Sequence, residues 1–335
     1  MASVGQWVQG ARPRTLPAAV APVLLGTAAG WYVLHAVLVL SGLDGEPLAA
    51  QLRTLPAAEA AAVAALSPDA ATSYAQFVGR ALLALVVSLA LQVGVNYAND
   101  YSDGVRGTDD ARVGPVRLVG QGLAPASHVR LAALLSFAVA AAAGLALVLL
   151  THAWWLVLVG LAAILAAWFY TGGPRPYGYA GFGELFVFVF FGLVAVVGTT
   201  YVLTLTVEAV AVGCGVAAGS LSVAILLANN LRDIPTDAQA GKRTLAVRIG
   251  DRGTRIAYSL AVAVPFLVAV SLAIVGVPWA LLSLVAAPLA VAPAQVVRSG
   301  AVGRELVPVL AGTGLLLLGF AVALSAGLVV QAALA

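Results

Sequence analysis

The sequence predicts an all-α, polytopic membrane bundle of about nine transmembrane helices. Three observations carry that reading. Hydrophobic residues make up 62% of the 335 residues and charged residues only 9%, against about 25% in a soluble domain. Mean hydropathy is +1.02. The apolar runs are unbroken and about 20 residues long, which suits a membrane-crossing helix and not the alternating ten-residue segments of a membrane β-barrel. A soluble enzyme, a disordered chain and a disulfide scaffold are excluded. The single cysteine, Cys214, lies inside an apolar run and reads as a small buried hydrophobe. No basic run is interleaved with aromatics, so a nucleic-acid partner is excluded as well.

The spans follow in order. The first is expected at 16–40, behind a polar entry with Gln6 and Gln9 that does not read as a cleaved signal peptide. The others are expected at 77–99, 129–151, 153–171, 183–204, 208–230, 254–275, 277–297 and 305–333. Those at 153–171 and 277–297 have the shortest flanking turns. With the N-terminus inside and sides alternating, only Arg53 and Arg80 of the 17 basic residues fall outside. This bias orients the chain with its N-terminus cytoplasmic and its C-terminus extracytoplasmic. The chain is expected to be one domain, 1–335. It carries an outer insertion at 41–76, with a short surface helix after Pro56, and cytoplasmic motif loops at 100–128 and 231–253.

Several of the 14 acidic residues join asparagines in two groups at inner helix ends. The first follows span 2 and reads Asn96, Asn99, Asp100, Asp103. The second follows span 6 and reads Asn229, Asp233, Asp237. Residues three or four apart share a helix face, so each group forms a polar stripe, with Asp237 less securely placed because of Pro235. Clustered carboxylates repel unless a cation lies between them. Asp and Asn oxygens without Cys or His suit a hard cation such as Mg²⁺, which uses a few carboxylates plus substrate phosphates. Arg106, Arg112, Arg117, Arg232, Lys242 and Arg243 lie in the same two loops. Metal plus guanidinium and ammonium groups suits a diphosphate, and in a lipid-embedded bundle the natural candidate is a polyprenyl diphosphate. The competing reading is a solvated inner surface with scattered ion pairs.

These residues form a recognisable pattern. Asn99 to Asp103 and Asp233 to Asp237 resemble the paired aspartate-rich motifs of the UbiA-type intramembrane prenyltransferases. Several stretches resemble the menaquinone branch of that superfamily. They are Arg12-Pro13-Arg14-Thr15-Leu16-Pro17, Gly107-Thr108-Asp109 with Arg112-Val113-Gly114-Pro115, Tyr170-Thr171-Gly172-Gly173-Pro174 with Gly183-Glu184, and Gly241 to Ala246. The resemblance runs in order from residue 11 to about 250. Two departures stand out. Many members have a third aspartate four residues after Asp103, where this chain has Gly107, and Asp109 is the expected substitute. The insertion at 41–76 is also atypical.

The resemblance implies an all-α bundle with its active site near the inner face of the cell membrane. It implies Mg²⁺-dependent transfer of a polyprenyl group from its diphosphate to 1,4-dihydroxy-2-naphthoate, with decarboxylation. In that scheme Asn99, Asp100, Asp103, Asp109, Asn229, Asp233 and Asp237 are the candidate metal ligands. Asp103, Asp233, Lys242 and Arg232 are the candidate catalytic residues. Arg117 and Arg243 would add charge around the diphosphate, while Gln92 and Asn96 would line the cavity. Arg12 and Arg14 would contact the naphthoate carboxylate or simply anchor the inner face. Tyr170 would touch substrate or anchor the interface, and Glu184 reads as a helix cap. The rivals are another aromatic acceptor such as 4-hydroxybenzoate and, from a different class, a secondary transporter, which would place ionisable residues at mid-membrane on broken helices.

Overall fold

The computed structural model describes residues 2–40, 74–107 and 116–334. Asp109, Arg112 and the insertion up to residue 73 lie outside the described residues.

Every element among the described residues is helical. A short amphipathic helix, α1 (Val4–Gly10), begins at Ser3, whose hydroxyl accepts from Gln6 N–H while Gln6 caps Ser3 in return. Arg12 then takes a left-handed conformation at φ 55° and leads through a 3-10 turn, Pro13–Thr15, into α2 (Pro17–Leu40). Next come α3 (Tyr74–Arg106), ended by Gly107 at φ 69°, and α4 (Ala126–Thr151), which starts after Pro125. They are followed by α5 (Leu156–Phe169) and α6 (Gly183–Thr204), the latter winding as a π-helix over Phe188–Val194. Helix α7 (Ala209–Gln239) leads to α8 (Leu245–Ile274), which is capped by the Thr244 side chain. Helix α9 (Pro278–Arg298) starts as a 3-10 helix, and α10 (Val307–Leu334) closes the chain.

Eight of these helices are long and apolar enough to cross a membrane. The span expected at 153–171 is the exception. Its helix, α5, has 14 residues, because Ala153–Trp155 and Tyr170–Gly173 are turns. The motif loops also differ from expectation. Helix α3 carries the first motif to Arg106, and α7 continues through the second to Gln239. Among the described residues, non-helical chain remains at Gly107 and 116–125 in the first of these loops and at 240–244 in the second. These polar residues face a cavity inside the bundle, so they extend the helices instead of leaving them for water.

Helices α2, α7 and α10 form the centre. Their apolar stretches are 56%, 67% and 61% buried, against 22–33% for the other long helices. Leu25, Leu221, Leu227, Phe320 and Leu324 interlock there with Tyr258 of α8, whose hydroxyl meets Thr313 Oγ1 at 2.6 Å. Helices α6 and α7 cross at Gly192 and Gly219, where a Cβ on Gly192 would lie 2.5 Å from Gly219 Cα. Only small residues let two backbones approach this closely.

At the end of the bundle away from both motifs, Arg80 of α3 is 6% exposed. Its guanidinium donates to Leu150 O of α4 at 3.0 Å and Val202 O of α6 at 3.4 Å. Both carbonyls belong to last helical turns, whose partial negative charge stabilises the buried cation. Replacing Arg80 with leucine orphans two carbonyls at about 1–3 kcal/mol each. The thermal midpoint of the Arg80→Leu protein in detergent is therefore expected to fall by several degrees. A midpoint within one degree of the parent refutes this staple.

Candidate active site

Between α2, α3, α4, α5, α6 and α7 lies a cavity of 1480 Å³. Its long wall is apolar, with Val87, Leu91, Leu147, Ile164, Phe186 and Phe190 among the lining residues. One end is polar, and both motifs meet there.

From α3, Gln92, Asn96, Asn99 and Asp103 line the cavity, as their spacing on one helix face requires. Gln92 and Asn96 dock the N-terminal turn: each donates to Thr15 Oγ1 at 3.0 Å, and Asn96 also donates to Ala11 O at 2.9 Å. Arg12 and Arg14 thereby come to line the cavity mouth. Asn99 Oδ1 accepts from the Thr171 hydroxyl at 2.8 Å.

Asp103 is the meeting point of three segments. It is 3% exposed. Its Oδ1 accepts from the Tyr179 hydroxyl and lies 3.4 Å from Lys242 Nζ, while Arg117 Nη1 stands 4.0 Å from Oδ2. Lys242 Nζ also sits 4.4 Å above the Tyr179 ring, a favourable cation–π position. Tyr179 is held from both sides. Arg243 N–H donates to its carbonyl at 2.8 Å, and Arg248 donates to Ala180 O at 3.0 Å. Arg106 pins the preceding turn by donating to Thr171 O and Gly173 O.

The second motif arrives on α7. Asn229, Arg232 and Asp237 line the cavity. Arg232 forms a two-pronged ion pair with Asp233, both contacts at 2.7 Å, and a third bond to Asn229 Oδ1 at 2.8 Å. Asp233, Asp237, Arg232, Lys242 and Arg117 are each no more than 9% exposed. Three carboxylates and three cations therefore share one buried mouth and offset one another, as buried charges must.

Not every predicted residue joins this group. Asp100 is 1% exposed and turns away from the cavity. Its two oxygens accept the backbone N–H groups of Leu118 at 2.7 Å and Val119 at 3.1 Å. The Arg243 side chain is exposed and does not line the cavity. Tyr170 does line it, stacked edge-on against Tyr177 at 5.6 Å. The Tyr177 hydroxyl donates to Ala166 O at 2.8 Å, and burial pushes that phenol far above its ordinary pKa. Glu184, read as a cap, is 6% exposed and accepts from the Asn230 side-chain amide at 2.9 Å. Tyr179, Thr15, Thr171, Asn230 and Arg304 also line the cavity and were not singled out as site residues from sequence. A Gly- and Pro-rich segment carrying two tyrosines, at 172–181, was the available signal for Tyr179.

Among the described residues no three Asp, Glu, His or Cys side chains converge on one point. The cavity instead presents the motif carboxylates Asp103 and Asp237 and, among its carboxamides, the motif residues Asn99 and Asn229. That oxygen-only set fits Mg²⁺ completed by phosphate oxygens. Asp100, by contrast, anchors the chain after α3. The Asp100→Ala protein is expected to be cut several-fold faster by protease between residues 116 and 124, and unchanged cutting refutes that role.

Residues 54–305 match the UbiA prenyltransferase family. The chain is 52% identical, over 98% of each chain, to a 1,4-dihydroxy-2-naphthoate octaprenyltransferase of Mycobacterium tuberculosis. It is 34% identical to the Escherichia coli protein of the same name, over 90% of this chain and 86% of that one. A UbiA homolog from Archaeoglobus fulgidus, solved bound to GPP and Mg2+, superposes with a TM-score of 0.55. That superposition covers 96% of this chain and 99% of the other at 14% identity, a likeness of fold. The chain belongs to the UbiA prenyltransferase family.

Proposed function

We propose that this protein transfers a polyprenyl group from its diphosphate to 1,4-dihydroxy-2-naphthoate, releasing CO₂. The observation that carries the reading is the cavity: a charged mouth built from both motifs opens onto a long apolar chamber. A diphosphate with a long isoprenoid tail has the same two-part character. The full-length identity to proteins named for this reaction supports naphthoate as the acceptor.

The mouth binds the diphosphate through Arg117, Arg232 and Lys242, which line the cavity. Asn99, Asp103, Asn229 and Asp237 would hold Mg²⁺, which when bound offsets the negative charge growing on the departing diphosphate. Asp233 keeps the Arg232 fork aimed at the mouth. The allylic C–O bond breaks and its electron pair leaves with the diphosphate. Fixed cations stabilise that charge best in a site that water cannot enter, and the apolar wall supplies the exclusion. Arg12 and Arg14 hold the acceptor carboxylate at the mouth. The ring carbon bearing that carboxylate bonds to the allylic carbon, and loss of CO₂ returns an electron pair to the ring and restores aromaticity.

The distribution of basic residues supports a cytoplasmic mouth. Arg12, Arg14, Arg117, Arg232, Lys242 and Arg304 line the cavity's polar end, whereas Arg80 stands at the other. By the positive-inside bias, the mouth faces the cytoplasm of a bacterial cell membrane.

Purified protein with geranylgeranyl diphosphate, dihydroxynaphthoate and Mg²⁺ is expected to yield the coupled lipid and one CO₂ per product. Turnover of 4-hydroxybenzoate with none of the naphthoate overturns the acceptor assignment. Asp103→Ala and Asp233→Ala are each expected to lower kcat at least 100-fold, and activity within tenfold of the parent removes that residue from the machinery. Lys242→Met leaves Asp103 short of a cation and is expected to lower both the thermal midpoint and kcat. Excess EDTA should stop turnover, and Mg²⁺ should restore it.

A further inference from the structure

The described fold leaves one buried polar pair without a task in the steps above. Glu184 opens α6, and Asn230 lies on α7 one helical turn from Leu226 and two from Ser222. Those three α7 residues line the cavity in a row, so Asn230 stands where its apolar part meets its charged mouth. Both members of the pair are 6% exposed. Asn230 Nδ2 donates to Glu184 Oε1 at 2.9 Å. No hydrogen bond from a described residue reaches Asn230 Oδ1. Glu184 Oε2 is likewise buried with no hydrogen-bond partner.

The chemistry of these groups fixes a direction. Glu184 accepts through Oε1, whereas a carboxamide has a donating and an accepting side. Glu184 therefore holds the amide of Asn230 with its NH₂ group toward α6. The amide oxygen is left facing the cavity as a fixed acceptor. Neither a diphosphate nor an isoprenoid tail has a hydrogen to give it. A phenolic hydroxyl does.

We propose that Asn230, aimed by Glu184, accepts a hydrogen bond from a ring hydroxyl of the aromatic acceptor and so sets its orientation and selects for hydroxylated rings. Asn230 touches the substrate, and Glu184 is a positioning residue acting through it. The proposal rests on the acceptor being a dihydroxynaphthoate. It adds the contact that would distinguish that ring from one lacking the hydroxyl. A site built to receive a hydroxyl discriminates against analogues without it, because its own polar atom is then left unpaired.

The test uses the full-length enzyme in detergent, with geranylgeranyl diphosphate, Mg²⁺ and 1,4-dihydroxy-2-naphthoate. Two competitors, 1-hydroxy-2-naphthoate and 4-hydroxy-2-naphthoate, each lack one hydroxyl. In the parent enzyme the competitor lacking the bound hydroxyl is expected to inhibit about tenfold more weakly than the other. In Asn230→Leu the two should inhibit alike, with the KM for dihydroxynaphthoate raised about tenfold and that for the prenyl diphosphate unchanged. Glu184→Met frees the amide to turn and should behave as Asn230→Leu does. Glu184→Gln keeps an accepting oxygen for Asn230 and should restore the parent values, which a merely structural role for Glu184 does not predict. The proposal is overturned if Asn230→Leu leaves the KM and the ratio of inhibition constants unchanged. It is also overturned if Asn230→Leu shifts the Mg²⁺ dependence instead, since the residue then serves the metal. A parent enzyme that fails to turn over dihydroxynaphthoate overturns the acceptor assignment itself.

Discussion

Six ionisable side chains buried at one end of an apolar bundle have to neutralise one another, and that constraint organises the protein. Asp103, Asp233 and Asp237 meet Arg117, Arg232 and Lys242 with almost no access to water. An unpaired charge there costs several kcal/mol. The pairing draws together α3, α7, the segment entering α4 and the loop before α8, which are far apart along the chain. The same balance makes the mouth responsive. A polyanion offers the cations a second partner, and a metal offers the carboxylates one. Groups that hold the fold closed without ligand are thus the groups that can grip a metal diphosphate.

The surrounding structure serves to aim these charges. Gln92 and Asn96 fasten the N-terminal turn to α3, which delivers Arg12 and Arg14 to the mouth. Arg106, Arg243 and Arg248 act mainly on backbone carbonyls or through their own backbone, fixing the segment that carries Tyr179. Arg80 does comparable work at the opposite end on the last turns of two helices. Several arginines here therefore stabilise chain reversals.

Much of this was legible in the sequence, for definite reasons. Hydropathy revealed the long spans because each must satisfy its backbone within a helix. The three- and four-residue spacing of Asn96, Asn99 and Asp103 gave a stripe, and that stripe faces the cavity. Asp100 shares the spacing from Asn96 but sits about 100° around the helix from Asn99, and there it meets the backbone of Leu118 and Val119 instead. Spacing alone could not separate those two fates. Residue Tyr179 was illegible because its role depends on a loop folding back between two motifs. The length of α5 was equally hidden, since its apolar run continues into turns that hydropathy does not mark. Glu184 obeyed a capping rule at a helix start, while its partner Asn230 lay 46 residues on.

The contact between Gly192 and Gly219 carries a consequence for how the protein moves. With no side chains between them, the two backbones act as a welded joint. Sliding or rocking α6 against α7 would break close packing with nothing flexible to absorb the shift. Any motion that admits a substrate must then leave this joint intact, like a hull whose keel does not flex.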